Sequence, residues 1–188
     1  MYLNSPGIIL KQTKIGAGRK ILTLFTKKYG KLSVGLASEN KAKSRQMLAM
    51  GTYTYSNYQI FQGRNYYNVD KAETIHSFYK LSDPVDKFGY ASYAIELTEK
   101  IIPENVPQPA IFDLLIDFMK EMEERPSKFE TLLLAYEIKF LRILGLAPSL
   151  DACAICGKED AGNYFSVKSG GIICDDCFEK SQIGRAHV

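Results

Sequence analysis

Residues 20–36 read Lys-Ile-Leu-Thr-Leu-Phe-Thr-Lys-Lys-Tyr-Gly-Lys-Leu-Ser-Val-Gly-Leu, and their pattern is the clearest structural signal in the first half of the chain. Apolar residues alternate with polar ones from Lys20 to Lys28, and the alternation resumes from Lys31 to Leu36. Tyr29-Gly30 between them is typical of a tight turn. The pattern therefore predicts two antiparallel strands joined as a hairpin.

Further strand signals lie on both sides of this hairpin. A short apolar run occupies residues 7–11, and a long β-prone run occupies residues 47–61. A turn at residues 63–65 then leads into a last run at residues 66–69. Five strands within about 70 residues predict a small closed antiparallel barrel.

Positive charge is concentrated in the same half of the chain. Residues 1–80 contain 13 Lys and Arg against three acids, a net charge of +10, whereas residues 81–188 contain 11 against 18, a net charge of −7. A domain at +10 repels itself unless a polyanion is near, and nucleic acid is the obvious partner. A solvated basic face without a ligand is the alternative interpretation.

Small barrels bind single-stranded nucleic acid on a basic, aromatic face, where cations follow the phosphates and exposed rings stack on bases. The candidate phosphate contacts are Lys11, Lys14, Arg19, Lys20, Lys27, Lys28, Lys31, Lys41, Lys43 and Arg45. The candidate stacking residues are Tyr53, Tyr55, Tyr66 and Tyr67. For each tyrosine, packing in the barrel or at its rim is the alternative.

The second half is predicted to be helical. Asp83-Pro84 is typical of a helix start, and apolar residues at helical spacing predict helices at about 84–102, 109–124 and 127–144. Gly145 and the proline that follows it end the third helix. Apolar residues lie on two sides of that helix, which predicts that it is central and packed between neighbours.

All four cysteines of the chain lie in two pairs, Cys153-Ala-Ile-Cys156 and Cys174-Asp-Asp-Cys177. This spacing lets both thiolates of a pair reach one ion, so the pattern predicts a tetrahedral Zn²⁺ site. Two disulfides or four unrelated buried thiols are the alternatives, but the N-terminus has no secretory signal and a reducing cytoplasm is expected. A site closed by four sulfurs has no open coordination position, so the ion is expected to be structural.

The sequence shows no catalytic constellation. It has only two histidines, His76 and His187, and no phosphate-binding loop, nucleophile elbow or dinucleotide fingerprint. A nuclease would need a carboxylate cluster or an open metal site, and neither is visible. No apolar run approaches the length of about 18 residues that a membrane span needs. We therefore expect a binding protein rather than an enzyme.

The order of these parts resembles the RecO family of bacterial DNA repair and recombination mediators. The similar stretches are Gly7-Ile-Ile-Leu10, Arg19 to Thr26 running into Tyr29-Gly30-Lys31, Phe129 to Leu134, and Phe140 to Cys153. The resemblance covers residues 1 to about 180. It implies an α+β protein with a five-stranded OB-fold barrel over residues 1–80. An all-helical domain would follow over residues 81–181, with a zinc knuckle at residues 150–180.

The resemblance also implies a function. Members of the family bind single- and double-stranded DNA, anneal complementary strands and, with RecR, help load RecA onto strands coated by single-strand-binding protein. For this chain the implied partners are therefore DNA, RecR, single-strand-binding protein and, indirectly, RecA, in the RecFOR pathway and in the bacterial cytoplasm at the nucleoid. A zinc-ribbon OB-fold factor that binds RNA in translation or transcription is the alternative.

Two features depart from the family pattern. Family members usually continue with further helices after the second cysteine pair, whereas this chain stops eleven residues past Cys177. The sequence is therefore interpreted as a C-terminally truncated fragment in which residues 182–188 are a non-native tail. In addition, residues 14–19 read Lys-Ile-Gly-Ala-Gly-Arg where the family often has an acidic residue, so a more basic barrel rim is expected.

Overall fold

The structure is a computed structural model that describes residues 1–15, 19–36, 48–83, 85–159 and 164–183. The chain divides into two compact units, Met1–Phe140 and Leu141–Val188. The domain boundary predicted near residue 80 stays a prediction, as does the non-native tail. None of the described helices is long and apolar enough to cross a membrane.

The first unit begins with a closed barrel. Its strands among the described residues are β1 (Tyr2–Ile15), β2 (Arg19–Thr26), β3 (Gly30–Leu36), β4 (Thr54–Gln62) and β5 (Tyr67–Ser77). They are ordered β1-β2-β3-β5-β4, and every neighbouring pair is antiparallel except β3 and β5. This barrel followed by helices confirms the predicted α+β class and the OB-fold.

Strand β1 is longer than the apolar run that predicted it. Its first half pairs with β4, from Tyr2 opposite Phe61 onward, and its second half pairs with β2, as far as Ile15 opposite Arg19. Gly7 belongs to both registers, and a Cβ atom there would lie 3.0 Å from the carbonyl oxygen of Phe25. A side chain at Gly7 would therefore crowd β2, and glycine allows the close approach of the strands at this changeover.

Strand β4 is shorter than predicted. Leu48 and Ala49 are helical, and Tyr53 has a left-handed backbone conformation with φ of 63°. That conformation cannot continue a pleated strand, so β4 begins only at Thr54.

The barrel interior is filled by alternate residues of its strands. Leu22 and Leu24 of β2 and Leu32 and Val34 of β3 belong to this core. Its other buried members are Leu3, Ile9, Met50, Tyr58, Ile60 and Val69. Because side chains alternate across a strand, the intervening residues of β2 and β3 lie on the outer surface.

Three helices complete the first unit or extend from it: α1 (Val85–Ile101), α2 (Pro109–Glu124) and α3 (Phe129–Ile143). Helix α2 has the predicted bounds and packs on the barrel through Phe112, whose ring lies 5.3 Å from Phe25 and 6.0 Å from Tyr55. The predicted start of the first helix at Asp83-Pro84 includes Pro84, which lies outside the described residues.

The prediction that the third helix is central was wrong. In α3 only Tyr136 and Phe140 are buried, whereas Leu134 is 58% exposed and Ile138 is 49% exposed. Tyr136 packs on Phe118 of α2, with ring centroids 4.8 Å apart, and no described residue covers the opposite side. The more buried helix is α2, because the barrel and α3 contact different sides of it.

The second unit is a small ribbon with one helix. Strands β6 (Tyr164–Ser166) and β7 (Gly171–Ile173) pair antiparallel, and α4 (Asp175–Ile183) follows. At its start, Gly145 ends α3 as predicted, with φ of 73° and its amide donating to the carbonyl of Arg142. The amide of Leu146 donates to the carbonyl of Leu141, which completes a Schellman motif.

Candidate metal centre and nucleic-acid interface

The four cysteines come together in the second unit. Their sulfur atoms all lie within 4.8 Å of one another, and those of Cys156 and Cys174 are 3.7 Å apart. Sulfurs about 2.3 Å from a tetrahedral ion are about 3.8 Å from each other, so the cluster has the size that such an ion needs. All four cysteines are free and their sulfurs lie together, so in this structure they form neither two disulfides nor four unrelated thiols.

Local hydrogen bonds shape both knuckles. In the first, the amide of Gly157, with φ of 74°, donates to the carbonyl of Cys153 at 2.8 Å. In the second, the amide of Cys177 donates to the carbonyl of Cys174 at 3.1 Å, in the first turn of α4. The amide of Cys174 also points at the sulfur of Cys153, at 3.5 Å. The ribbon between them therefore joins two preformed pairs of ligands.

The thiols of this cluster ionise unequally. Hydrogen bonds from the backbone amides of Cys156 and Cys174 lower the pKa of Cys153 to about 6. The hydrogen bond with the Cys174 side chain, followed by burial, raises the pKa of Cys177 to about 12. One thiolate therefore forms readily, and a cation is needed for all four to be ionised at neutral pH.

Three of the predicted phosphate contacts face the helices. Lys27 forms an ion pair with Asp113 of α2, with Nζ and Oδ1 2.7 Å apart. Lys11 lies 3.8 Å from Glu99 of α1, and buried Lys31 donates from Nζ to the backbone carbonyl of Glu99 at 2.6 Å. The structure thus places Lys27 and Lys11 beside acidic side chains of the same chain, and Lys31 on a backbone carbonyl.

Other predicted contacts gather at one end of the barrel. Lys14 and Lys20 are partners in the register of β1 and β2, and Ile15 and Arg19 pair beside them. Strand β3 also ends here, since Gly35 near its end pairs with Ile21 of β2. Lys28 is exposed in the β2–β3 turn at the far end of β2. The side chain of Arg19 and the whole of Lys41, Lys43 and Arg45 lie outside the described residues.

The four candidate tyrosines differ in their surroundings. Tyr53 packs on α1, where its hydroxyl lies 2.5 Å from that of Ser92, and Tyr55 packs on α2. Tyr67 lies half-buried against the barrel core, whereas Tyr66 is 54% exposed. Of the four, Tyr66 presents the most accessible ring for a base, and the stacking roles of all four stay predictions.

The sequence alone did not single out Asp113 and Glu99 as partners of barrel lysines, nor Arg64 as a candidate contact. Arg64 is exposed in the turn that carries Tyr66, and its charge beside an aromatic residue was a usable signal. The two acids could not be found in this way, because Lys27 and Asp113 are 86 residues apart in the chain. Such a pairing depends on the tertiary fold.

The chain matches known proteins along nearly its whole length. Residues 1–78 match the family model for the recombination protein O N terminal, and residues 83–187 match that for the recombination protein O C terminal. Three similar curated proteins carry the name DNA repair protein RecO. The protein from Caldanaerobacter subterraneus subsp. tengcongensis is 34% identical over 95% of this chain and 72% of its own length. The corresponding values are 36%, 95% and 72% for Thermoanaerobacter sp., and 32%, 97% and 71% for Listeria welshimeri. With its OB-fold barrel, its four-cysteine cluster and these matches, the chain belongs to the RecO family of DNA repair proteins.

Proposed function

We propose that this protein is a DNA-binding recombination mediator that works without catalytic turnover. It binds single- and double-stranded DNA, anneals complementary strands and helps load RecA onto coated single strands together with RecR. The main support for DNA binding is that Lys14 and Lys20 lie opposite each other in the register of β1 and β2, at one end of an OB-fold barrel. A cluster of cations on a barrel of this kind is what a phosphate chain requires.

The outer surface next to this end supports the proposal. Lys11, Thr23 and Ser33 lie side by side across β1, β2 and β3 in the strand register. The side chains of Thr23 and Ser33 are small, so a DNA strand can approach the sheet closely. Tyr66 and Arg64 lie in the β4–β5 turn, and β5 pairs with β3 from Tyr67 onward. This surface therefore carries positive charge at Lys11 and at Arg64, and an exposed aromatic ring at Tyr66.

We infer that the ion held by Cys153, Cys156, Cys174 and Cys177 is Zn²⁺ in a structural role. Four thiolates at tetrahedral spacing are the ligand set that zinc favours in closed sites. When bound, the ion neutralises the thiolates and joins the two knuckles. Because the ribbon has few buried residues of its own, the ion is expected to supply much of the folding free energy of this segment.

The roles with RecR, single-strand-binding protein and RecA rest on family membership alone, as does the place of the protein at the nucleoid of the bacterial cytoplasm. These partners are proposed for the protein as a whole. No surface of the described residues is assigned to any of them.

Binding of a fluorescent single-stranded oligonucleotide, followed by anisotropy over a salt titration, tests the proposal. We expect log Kd to rise linearly with log salt, by roughly 0.7 for each phosphate neutralised. The double variant Lys14→Glu/Lys20→Glu should bind at least tenfold more weakly. The control Lys120→Glu/Lys139→Glu makes the same charge change at exposed helical positions. Equal loss in both variants would reject the barrel end as the DNA site, and a strong preference for RNA of the same sequence would favour the alternative.

A further inference from the structure

Acidic side chains of the helices form ion pairs with two lysines of the barrel. Lys27 is bound by Asp113 at 2.7 Å, and Lys11 lies 3.8 Å from the Glu99 carboxylate. These acids belong to the part of the chain that carries the net negative charge. The acidic side chains of the helices therefore balance part of the excess positive charge of the barrel, as a bound nucleic acid also would.

A carboxylate and a phosphate compete for the same ammonium group. The hydrogen bond to Asp113 raises the pKa of Lys27, so the ammonium group of Lys27 stays charged at neutral pH. The side chain of Lys27 is 41% exposed and that of Asp113 is 53% exposed. Ion pairs with this much exposure are weak, because water and salt screen them, so an incoming phosphate can replace the carboxylate.

Lys31 differs from these two lysines. It is buried, and its ammonium group donates to a backbone carbonyl, which cannot move away independently of helix α1. Lys31 therefore joins the barrel to helix α1, and only Lys27 and Lys11 can exchange a carboxylate for a phosphate.

We propose that Asp113 and Glu99 act as internal competitors of DNA, which hold Lys27 and Lys11 in the free protein and release them to phosphates in the complex. These acids would set the affinity for DNA without contacting it. The inference rests on the proposed DNA-binding function and deepens it, since it names residues that weaken binding. Asp113 is the stronger competitor because its contact is shorter.

The structure offers a matched control for Asp113. Glu121 lies on the same helix, is also 53% exposed, and pairs at 3.5 Å with Arg125, the residue directly after that helix. Asp113→Asn and Glu121→Gln therefore remove the same charge at equal exposure, but only the first releases a barrel lysine. A general electrostatic effect of lost negative charge would appear in both variants.

The test measures binding of a single-stranded oligonucleotide by anisotropy at several salt concentrations. We expect Asp113→Asn to bind about two- to fivefold more tightly than Glu121→Gln, with a salt slope steeper by roughly 0.7, because one more lysine neutralises a phosphate. Adding Lys27→Gln to Asp113→Asn should abolish the gain, as a double-mutant cycle requires.

Equal affinity of Asp113→Asn and Glu121→Gln, with the parent binding DNA normally, would overturn the competitor role and leave the proposed function intact. A gain that persists in the double variant with Lys27→Gln would also overturn it. If the parent fails to bind DNA at all, the proposed function is itself rejected together with this inference. Far-UV circular dichroism of each variant checks that the fold is retained.

Discussion

Lys31 and Glu99 join the barrel to the helices: the ammonium group of Lys31 donates to the backbone carbonyl of Glu99 at 2.6 Å. This carbonyl lies in the last turn of α1, where carbonyl groups lack partners within the helix and carry partial negative charge. The amide of Asn105 returns a hydrogen bond to the carbonyl of Lys31 at 2.9 Å. A lysine predicted to contact DNA is thus a structural residue that caps a helix.

Replacing this lysine is expected to cost stability. Lys31→Met keeps the aliphatic stem but leaves the end of α1 without its charged donor, and we expect a loss of about 1–3 kcal/mol in the free energy of unfolding. Urea unfolding followed by circular dichroism measures it. Lys28→Met, in the neighbouring exposed turn, should change stability by less than about 0.5 kcal/mol. Unchanged stability of Lys31→Met would contradict this assignment.

Tyr66 is expected to contribute stacking to DNA binding. Tyr66→Ala removes the exposed ring and should weaken single-strand binding by about 1–3 kcal/mol, the usual value for one stacked base. Tyr66→Phe retains the ring and should bind nearly as the parent does. Equal losses in both variants would point to the hydroxyl group instead. No loss in either would remove Tyr66 from the interface.

Metal affinity is expected to fall as the pH is lowered. An ion binds the thiolates, so the proton held by Cys177, whose pKa is raised to about 12, must leave at any pH near neutral. Below about pH 6, Cys153 also becomes protonated in the metal-free site, because its pKa is lowered only to about 6. Competition with a chromophoric chelator between pH 5.5 and 8 should show apparent affinity rising with pH. An affinity independent of pH would contradict a thiolate site.

Loss of one ligand should unfold the ribbon locally. We expect Cys174→Ser to purify with less than one zinc per chain and to be cleaved by trypsin within residues 141–183 much faster than the parent. Ser166→Ala, at the end of β6 in the same ribbon, should keep its zinc and its resistance. Under the proposed structural role of the ion, Cys174→Ser should still bind a short oligonucleotide. A variant that is as resistant as the parent without zinc would show that the ion is not needed for folding.

Local patterns predicted the elements whose signals are local. The alternation around Tyr29-Gly30 predicted β2 and β3, and apolar residues at helical spacing predicted the bounds of α2. The cysteine spacing predicted a cluster because two residues between ligands suffice for a knuckle. In each case a short segment contains the physical reason for its own structure.

Predictions that depended on distant contacts were incomplete. An apolar pattern shows that a helix has two apolar sides, but it does not show whether anything covers them, and Leu134 and Ile138 are exposed in α3. Composition identified the basic half of the chain, but it could not sort its lysines. That sorting depends on pairs such as Lys31 with Glu99, 68 residues apart, which only the packing of α1 against the barrel creates.

Photo-crosslinking shows directly which residues of the chain contact DNA. A single-stranded oligonucleotide with photoreactive bases is bound to the full chain, irradiated and mapped by mass spectrometry of the crosslinked peptides. We expect crosslinks on the barrel, in peptides from β1 and β2 and from the turn that carries Tyr66, with fewer as salt is raised. Crosslinks confined to residues 85–183, with none on the barrel, would contradict DNA binding by the barrel.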